Sequence, residues 1–191
     1  ITLPKPDGLS IGDMMVTVTA AGEDASHVGL VPVGSGWTTI AGIGWGGAPV
    51  WISYKTATAD DMAAATLQFG PSALDAIPPV AGNIVWLAYD GDVKTVTVVF
   101  GAAGSDVSAT ARVDGVAVTI YMSQGSTGTG GASTVTGTSV TQRASYAAFG
   151  QFVGADVQLV PGITIGDEPV AATDSSTASF SPETTICPGQ L

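Results

Sequence analysis

One cysteine, one histidine and five basic side chains are all that 191 residues supply of the groups most used for catalysis, metal binding and nucleic-acid contact. Cys187 alone cannot close an intrachain disulfide, so cysteine usage says nothing of the redox compartment. It lies in Thr184-Thr-Ile-Cys-Pro-Gly-Gln-Leu191 and reads as a small apolar residue that folding can spare. With His27 the only other soft ligand, zinc has no set of side chains to bind it. The cations Lys5, Lys55, Lys94, Arg112 and Arg143 stand singly against sixteen acids, for a net charge of −11. Nucleic acid requires clustered cations that displace phosphate counterions, so it is excluded as a partner. The same acidity repels anionic lipid, and no apolar run approaches the ~18 residues that span a bilayer. Membranes are therefore excluded too. The first residues lack the charged-then-apolar pattern of a secretory leader.

What the chain has instead is glycine, 26 of them, with threonine, valine and alanine in quantity. Glycine permits turns and weakens helices, while valine and threonine suit pleated, half-buried surfaces. Only 11 % of residues are charged, yet the mean hydropathy is +0.39. These features specify an all-β protein rich in turns.

Short alternating segments bear this out along the chain. Two prolines mark residues 1–9 as an edge strand or extended arm. Gly12-Asp13 turns into Met14–Thr19, whose alternation predicts a strand with one wet side. Strands are expected at 37–43 and 50–56, with a glycine turn at 44–49. Thr58-Ala-Asp-Asp61 has the form of a capping box opening about one helical turn, before a strand ending at Gly70-Pro71. The nearly continuous apolar run from Asn83 to Tyr89 predicts a central, doubly covered strand. Asp90-Gly-Asp92 turns into a strand at 93–100. Asp114-Gly115 has the chemistry of a two-residue hairpin between 107–112 and 116–122. The Gly/Ser/Thr stretch 123–137, which includes Gly128 and Gly130, is the longest loop and a candidate for partner contact. Strands at 135–143, 145–153 and 157–159 follow. The proline-broken residues 161–191 read as an extended tail. About ten short strands at this spacing fit an antiparallel β-sandwich over 10–160, flanked by extended N-terminal and C-terminal arms. Periodicity does not choose a jelly roll over an immunoglobulin-like arrangement.

An ordered set of signals lies within the first ninety residues: Gly12-Asp13 entering a strand, Gly36-Trp37, Tyr54-Lys55, and Ala88-Tyr89-Asp90-Gly91. In order and spacing they resemble a β-sandwich family of minor tail and accessory, decoration-type virion proteins from bacteriophages of Gram-positive, especially actinobacterial, hosts. The resemblance covers roughly residues 3–92. It implies a jelly-roll-like sandwich and a structural, non-enzymatic role in a virion, on the head or the tail. It also implies a homo-oligomer whose partners are other virion proteins, with a host-surface glycan as a further possible ligand. Sparse surface charge agrees with a surface hidden against neighbours. The two arms and the 123–137 loop are then expected to be ordered by contacts with other subunits.

The residues themselves offer little chemistry. No Gly-x-Ser-x-Gly elbow surrounds a serine, and His27 has no evident nucleophile to activate, so no catalytic residue is assigned. Asp60-Asp61 or Asp90 with Asp92 could flank a sugar, but sixteen acids make such pairs commonplace. Asp90 and Asp92 are turn-formers before they are calcium ligands, because further spaced acids are missing. No metal or cofactor is expected. The aromatic residues pose the remaining question. Trp86, mid-run in an apolar strand, reads as core and as the most stabilising tryptophan. Trp51 alternates with Val50 and Ile52, so one of these two sets should face outward. Trp45, within Gly44-Trp-Gly-Gly47, reads as a loop-tip residue that either meets a partner or folds back. Trp45 and Trp51 join Gly128 and Gly130 as candidate partner contacts. The rival to the virion reading is a carbohydrate- or surface-binding β-sandwich module of a secreted bacterial protein.

Overall fold

The structure is a computed structural model, and it describes residues 1–21, 30–45, 48–71, 82–89, 107–110, 114–123, 134–137, 139–146, 149–153, 156–160, 162–172 and 175–181. These residues are almost wholly antiparallel β-structure, as the composition requires. The contacts divide the chain into two compact units, Ile1–Val98 and Val99–Leu191. That division falls inside the stretch 10–160 expected to be one domain.

The first unit contains, in chain order, β1 (Thr2–Pro4), β2 (Met14–Ala21), β3 (Leu30–Pro32), β4 (Thr38–Trp45), β5 (Ala48–Thr56), α1 (Ala59–Ala63), β6 (Thr66–Pro71) and β7 (Gly82–Tyr89). Four strands pair in the order β4-β5-β2-β7, and three shorter ones in the order β1-β6-β3. β2 is buried on both faces, not wet on one. Val16, Val18 and Ala20 are covered on one side, and Met15, Thr17 and Thr19 on the other. Threonine is tolerated there because its hydroxyl finds a carbonyl: Thr17 Oγ1 donates to Ser53 O (3.4 Å) and Thr19 Oγ1 to Leu30 O. An unpaired buried hydroxyl would cost about 1–3 kcal/mol. The Thr19 bond also fastens β3 over this face of the larger sheet. β7, expected at a sheet centre, stands at the end of the described order, bonded to β2 alone.

In the smaller sheet alternation is clean. Leu67 and Phe69 of β6 are buried, while Thr66 and Gln68 are exposed. Prolines fall where a missing N–H is harmless: Pro4 and Pro32 lie on the edge strands β1 and β3. The opening residues thus form an edge strand, tied by Phe69 N–H to Ile1 O (2.8 Å) and by Lys5 N–H to Ala65 O (3.1 Å).

The second unit contains β8 (Val107–Thr110), β9 (Gly115–Ser123), β10 (Thr134–Thr136), β11 (Thr141–Tyr146), β12 (Phe149–Val153), β13 (Asp156–Val160), β14 (Gly162–Val170) and β15 (Ser175–Ser181). They form sheets ordered β11-β14-β9 and β10-β15-β8, with β12-β13 as a separate hairpin. Two expectations are corrected here. β8 and β9 do not pair with each other: β8 lies along β15 and β9 along the whole of β14. Asp114 serves that second pairing, since its carboxylate accepts from Ala172 N–H (2.8 Å) just beyond Val170, the partner of Gly115. Residues 161–191 are also not simply a tail. β14 is a central strand, buried from Gly162 through Glu168. Pro169 had argued against such a strand, but β11 pairs only as far as Asp167. At Pro169 the strand has a partner on one side only, so its missing N–H leaves no gap.

Candidate interaction site

The described residues of the ordered set, Gly12-Asp13, Gly36-Trp37, Tyr54-Lys55 and Ala88, meet at one end of the sheet β4-β5-β2-β7. Gly12 has φ +97°, a left-handed value that favours glycine, and it turns the chain into β2. Its N–H donates to Ala57 O (3.0 Å), and Ala57 N–H returns a bond to Asp13 O (2.8 Å). The Asp13 carboxylate accepts from Ser10 N–H at 2.7 Å and fixes the turn. The Gly12-Asp13 signal is thereby clamped to the end of β5.

Leu9, Met15 and Ala57 form the buried cluster at this end, with Trp37, Met62 and Ala88 packed against it. Trp37 comes from the Gly36-Trp37 signal, Met62 from α1 and Ala88 from the end of β7. Full burial of a leucine or methionine side chain contributes roughly 1.5–3 kcal/mol, so this small cluster is a substantial share of a domain's margin. Gly36 has φ +84°, and a Cβ there would stand 3.2 Å from Lys55 Cε. Glycine is favoured here by conformation, and a side chain would also crowd the lysine stem that crosses it.

Lys55 ends the Tyr54-Lys55 signal and reaches α1. Its Nζ lies 2.8 Å from Asp61 Oδ1, with both side chains largely covered. Asp61 is also the third residue of the helix. Its other oxygen accepts from Thr58 N–H (2.8 Å) and Thr58 Oγ1 (2.6 Å), completing the capping box. Burial pushes the Asp61 carboxyl up, but the bonds from Lys55 and Thr58, with the lysine charge, outweigh it and hold the acid below its ordinary value. Lys5 is engaged as well, donating to Met62 O at 2.7 Å.

Every polar group named here is spent on holding chain to chain. Among the described residues no group of three or more His, Cys, Asp or Glu could hold a metal ion. Of the expected contacts, Trp51 is half-buried and pairs with Thr19 and Gly42. Its neighbours Ile52 and Ser53 are both buried, so neither alternating set faces water as expected. Its indole Nε1 is buried with no hydrogen-bond partner among the described residues. Trp45 is the last residue of β4, opposite Ala48, and not a loop tip. Trp86 lies on β7 opposite Thr17. His27, Asp90, Asp92, Gly128, Gly130 and Cys187 lie outside the described residues.

Sequence reading missed the ion pairs. Arg143 sits where the β11–β14 register shifts, and its Nε bonds both oxygens of the buried Asp167 at 2.8 Å. Nothing local signals that pair, which joins residues 24 apart. Lys55 with Asp61 was more accessible: a strand-end lysine precedes an N3 aspartate by one short turn.

The described residues form an all-β protein in which this polar site ties strand, turn and helix together. No protein-family model, curated protein or solved structure matches the chain.

Proposed function

We propose that this chain is a structural, non-enzymatic protein of a bacteriophage virion, a minor tail protein or a capsid decoration protein acting through protein–protein contacts in the particle. The observation that carries the reading is a coincidence of extent. The resemblance to the phage family spans roughly residues 3–92, and one compact unit spans Ile1–Val98. Within that unit the described residues of these signals pack on or bond to one another, which is the role such signals would have in a scaffold. A jelly-roll-like sandwich, with the smaller sheet lying over the larger, is the architecture this reading carries with it. Sparse charge suits burial against neighbouring subunits, and net charge of −11 suits solubility before assembly.

The test is electron microscopy of purified phage particles carrying this chain, with an antibody or a fused tag marking its position. Regular label on head or tail is the expected result. Absence from the particle, together with saturable binding to a cell-wall glycan on an array, would instead favour the secreted binding module.

A further inference from the structure

We infer that Asp7-Gly8 is a modification site, at which the folded chain rearranges to isoaspartate in preference to the same dipeptide at Asp114-Gly115. In an Asp-Gly step the glycine nitrogen can reach the aspartate side chain, because glycine has no Cβ to screen it. The sequence holds three such steps, at residues 7, 90 and 114. The first and the third lie among the described residues. Identical dipeptides then differ only in what the fold does with them.

Asp7 and Gly8 form an exposed turn between β1 and the buried Leu9. Gly8 has φ +80°, and a Cβ built there would meet nothing within 4 Å, so the space around it is open. Among the described residues nothing bonds the Asp7 carboxylate or the Gly8 N–H; Ser10 Oγ reaches only the Gly8 carbonyl, at 3.5 Å. Both reacting groups are therefore uncommitted. Asp114-Gly115 is equally exposed but held. Its carboxylate accepts from Ala172 N–H at 2.8 Å, and Gly115 is fixed in β9 opposite Val170. Attack there requires the carboxyl to leave its bond and the glycine to leave its strand.

The reaction uses water alone. The Gly8 nitrogen bonds Asp7 Cγ, and a Cγ–O bond breaks. The oxygen leaves as water, carrying the nitrogen's proton and one from solvent. A second water then attacks the main-chain carbonyl carbon of Asp7 in this five-membered imide and breaks that carbon's bond to the Gly8 nitrogen. The chain now runs through Cβ and Cγ, one carbon longer, with its mass unchanged. The place matters because the turn joins two anchors. Lys5 N–H bonds Ala65 O at 3.1 Å and Lys5 Nζ bonds Met62 O at 2.7 Å, while Leu9 is buried in the cluster with Met15 and Ala57. The extra carbon falls between them and lengthens the link from β1 to the body of the unit.

The site does not depend on the virion reading, since the reaction requires only the turn. The experiment ages the full chain in warm, near-neutral buffer, once folded and once in urea. Peptides containing Asp7 and Asp114 are then sequenced by electron-transfer fragmentation, which yields fragments specific to isoaspartate. In the folded chain isoaspartate should build up at Asp7 several-fold faster than at Asp114. In urea the two rates should converge, because the bonds that protect Asp114 are gone. Three results would each overturn the inference: no isoaspartate at Asp7 in the folded chain, a folded rate at Asp114 that matches it, or a preference for Asp7 that persists unchanged in urea.

Discussion

Asp61 shows how one side chain can hold three pieces of chain at once. It caps α1, anchors Lys55 at the end of β5 and thereby fixes the lysine stem over Gly36. Because its folded pKa is depressed, the stability it contributes is fully present above the ordinary carboxyl value of 3.8. That contribution is lost as pH falls from there through the folded value. Urea midpoints measured at neutral pH and again near pH 3 should show the acid loss shrinking in Asp61→Asn. An unchanged acid limb would mean that other carboxylates control it. Gly36→Ala tests the same knot from the other side. Forcing a side chain into the left-handed region costs roughly 1–2 kcal/mol, and contact with Lys55 adds to it. A denaturation midpoint equal to wild type would show that the turn relaxes freely. The Gly36-Trp37 and Tyr54-Lys55 signals were legible in sequence as strand punctuation. Their mutual contact was not, because it joins residues that only the β4–β5 register brings together.

Among the elements, β14 is the clearest departure from what alternation suggested. Ile163-Thr-Ile165 carries a strand pattern, but Pro161, Pro169 and the Asp167-Glu168 pair mask it. Asp167 becomes tolerable in a strand only through Arg143, and that partner is invisible to a local reading. Strands whose partners lie nearby in sequence, such as β4 with β5, were read correctly apart from their ends. The Asp114-Gly115 hairpin failed for a related reason: turn chemistry was present, but β14 offered β9 nine residues of register. Ile165 is fully buried, so Ile165→Ala should destabilise the second unit by about 2–5 kcal/mol. The accompanying measurement is limited proteolysis. Peptide mapping should recover residues 162–170 intact in the wild type and cleaved in the variant, and early cleavage in the wild type would refute the buried placement.

For the whole molecule, all-β architecture was legible from composition, since glycine, valine and threonine leave little room for helices. The division near residue 98 was not, because no proline- or charge-rich linker marks it. Residues 1–98 expressed alone are expected to unfold in a single cooperative transition, with the far-ultraviolet signature of β-structure. A chain that stays unstructured would show that the first unit cannot fold without the second.

The register of β2 has a further consequence, for synthesis on the ribosome. Thr17 faces Ser53 on one side and Trp86 on the other, so β2 cannot complete its ladder until a further 69 residues have been made. At about 5–20 residues per second that is a wait of several seconds, with an eight-residue strand unpaired on at least one side. Met-Met-Val-Thr-Val-Thr-Ala-Ala suits such a wait, since its threonine hydroxyls bond water until Ser53 and Leu30 arrive. A valine at 17 or 19 would lose the bond to Ser53 or Leu30, and it would also leave the nascent chain a stickier, uninterrupted apolar stretch. The hydroxyls buried in the sheet are therefore expected to keep the newborn strand wetted before they bond within the mature one.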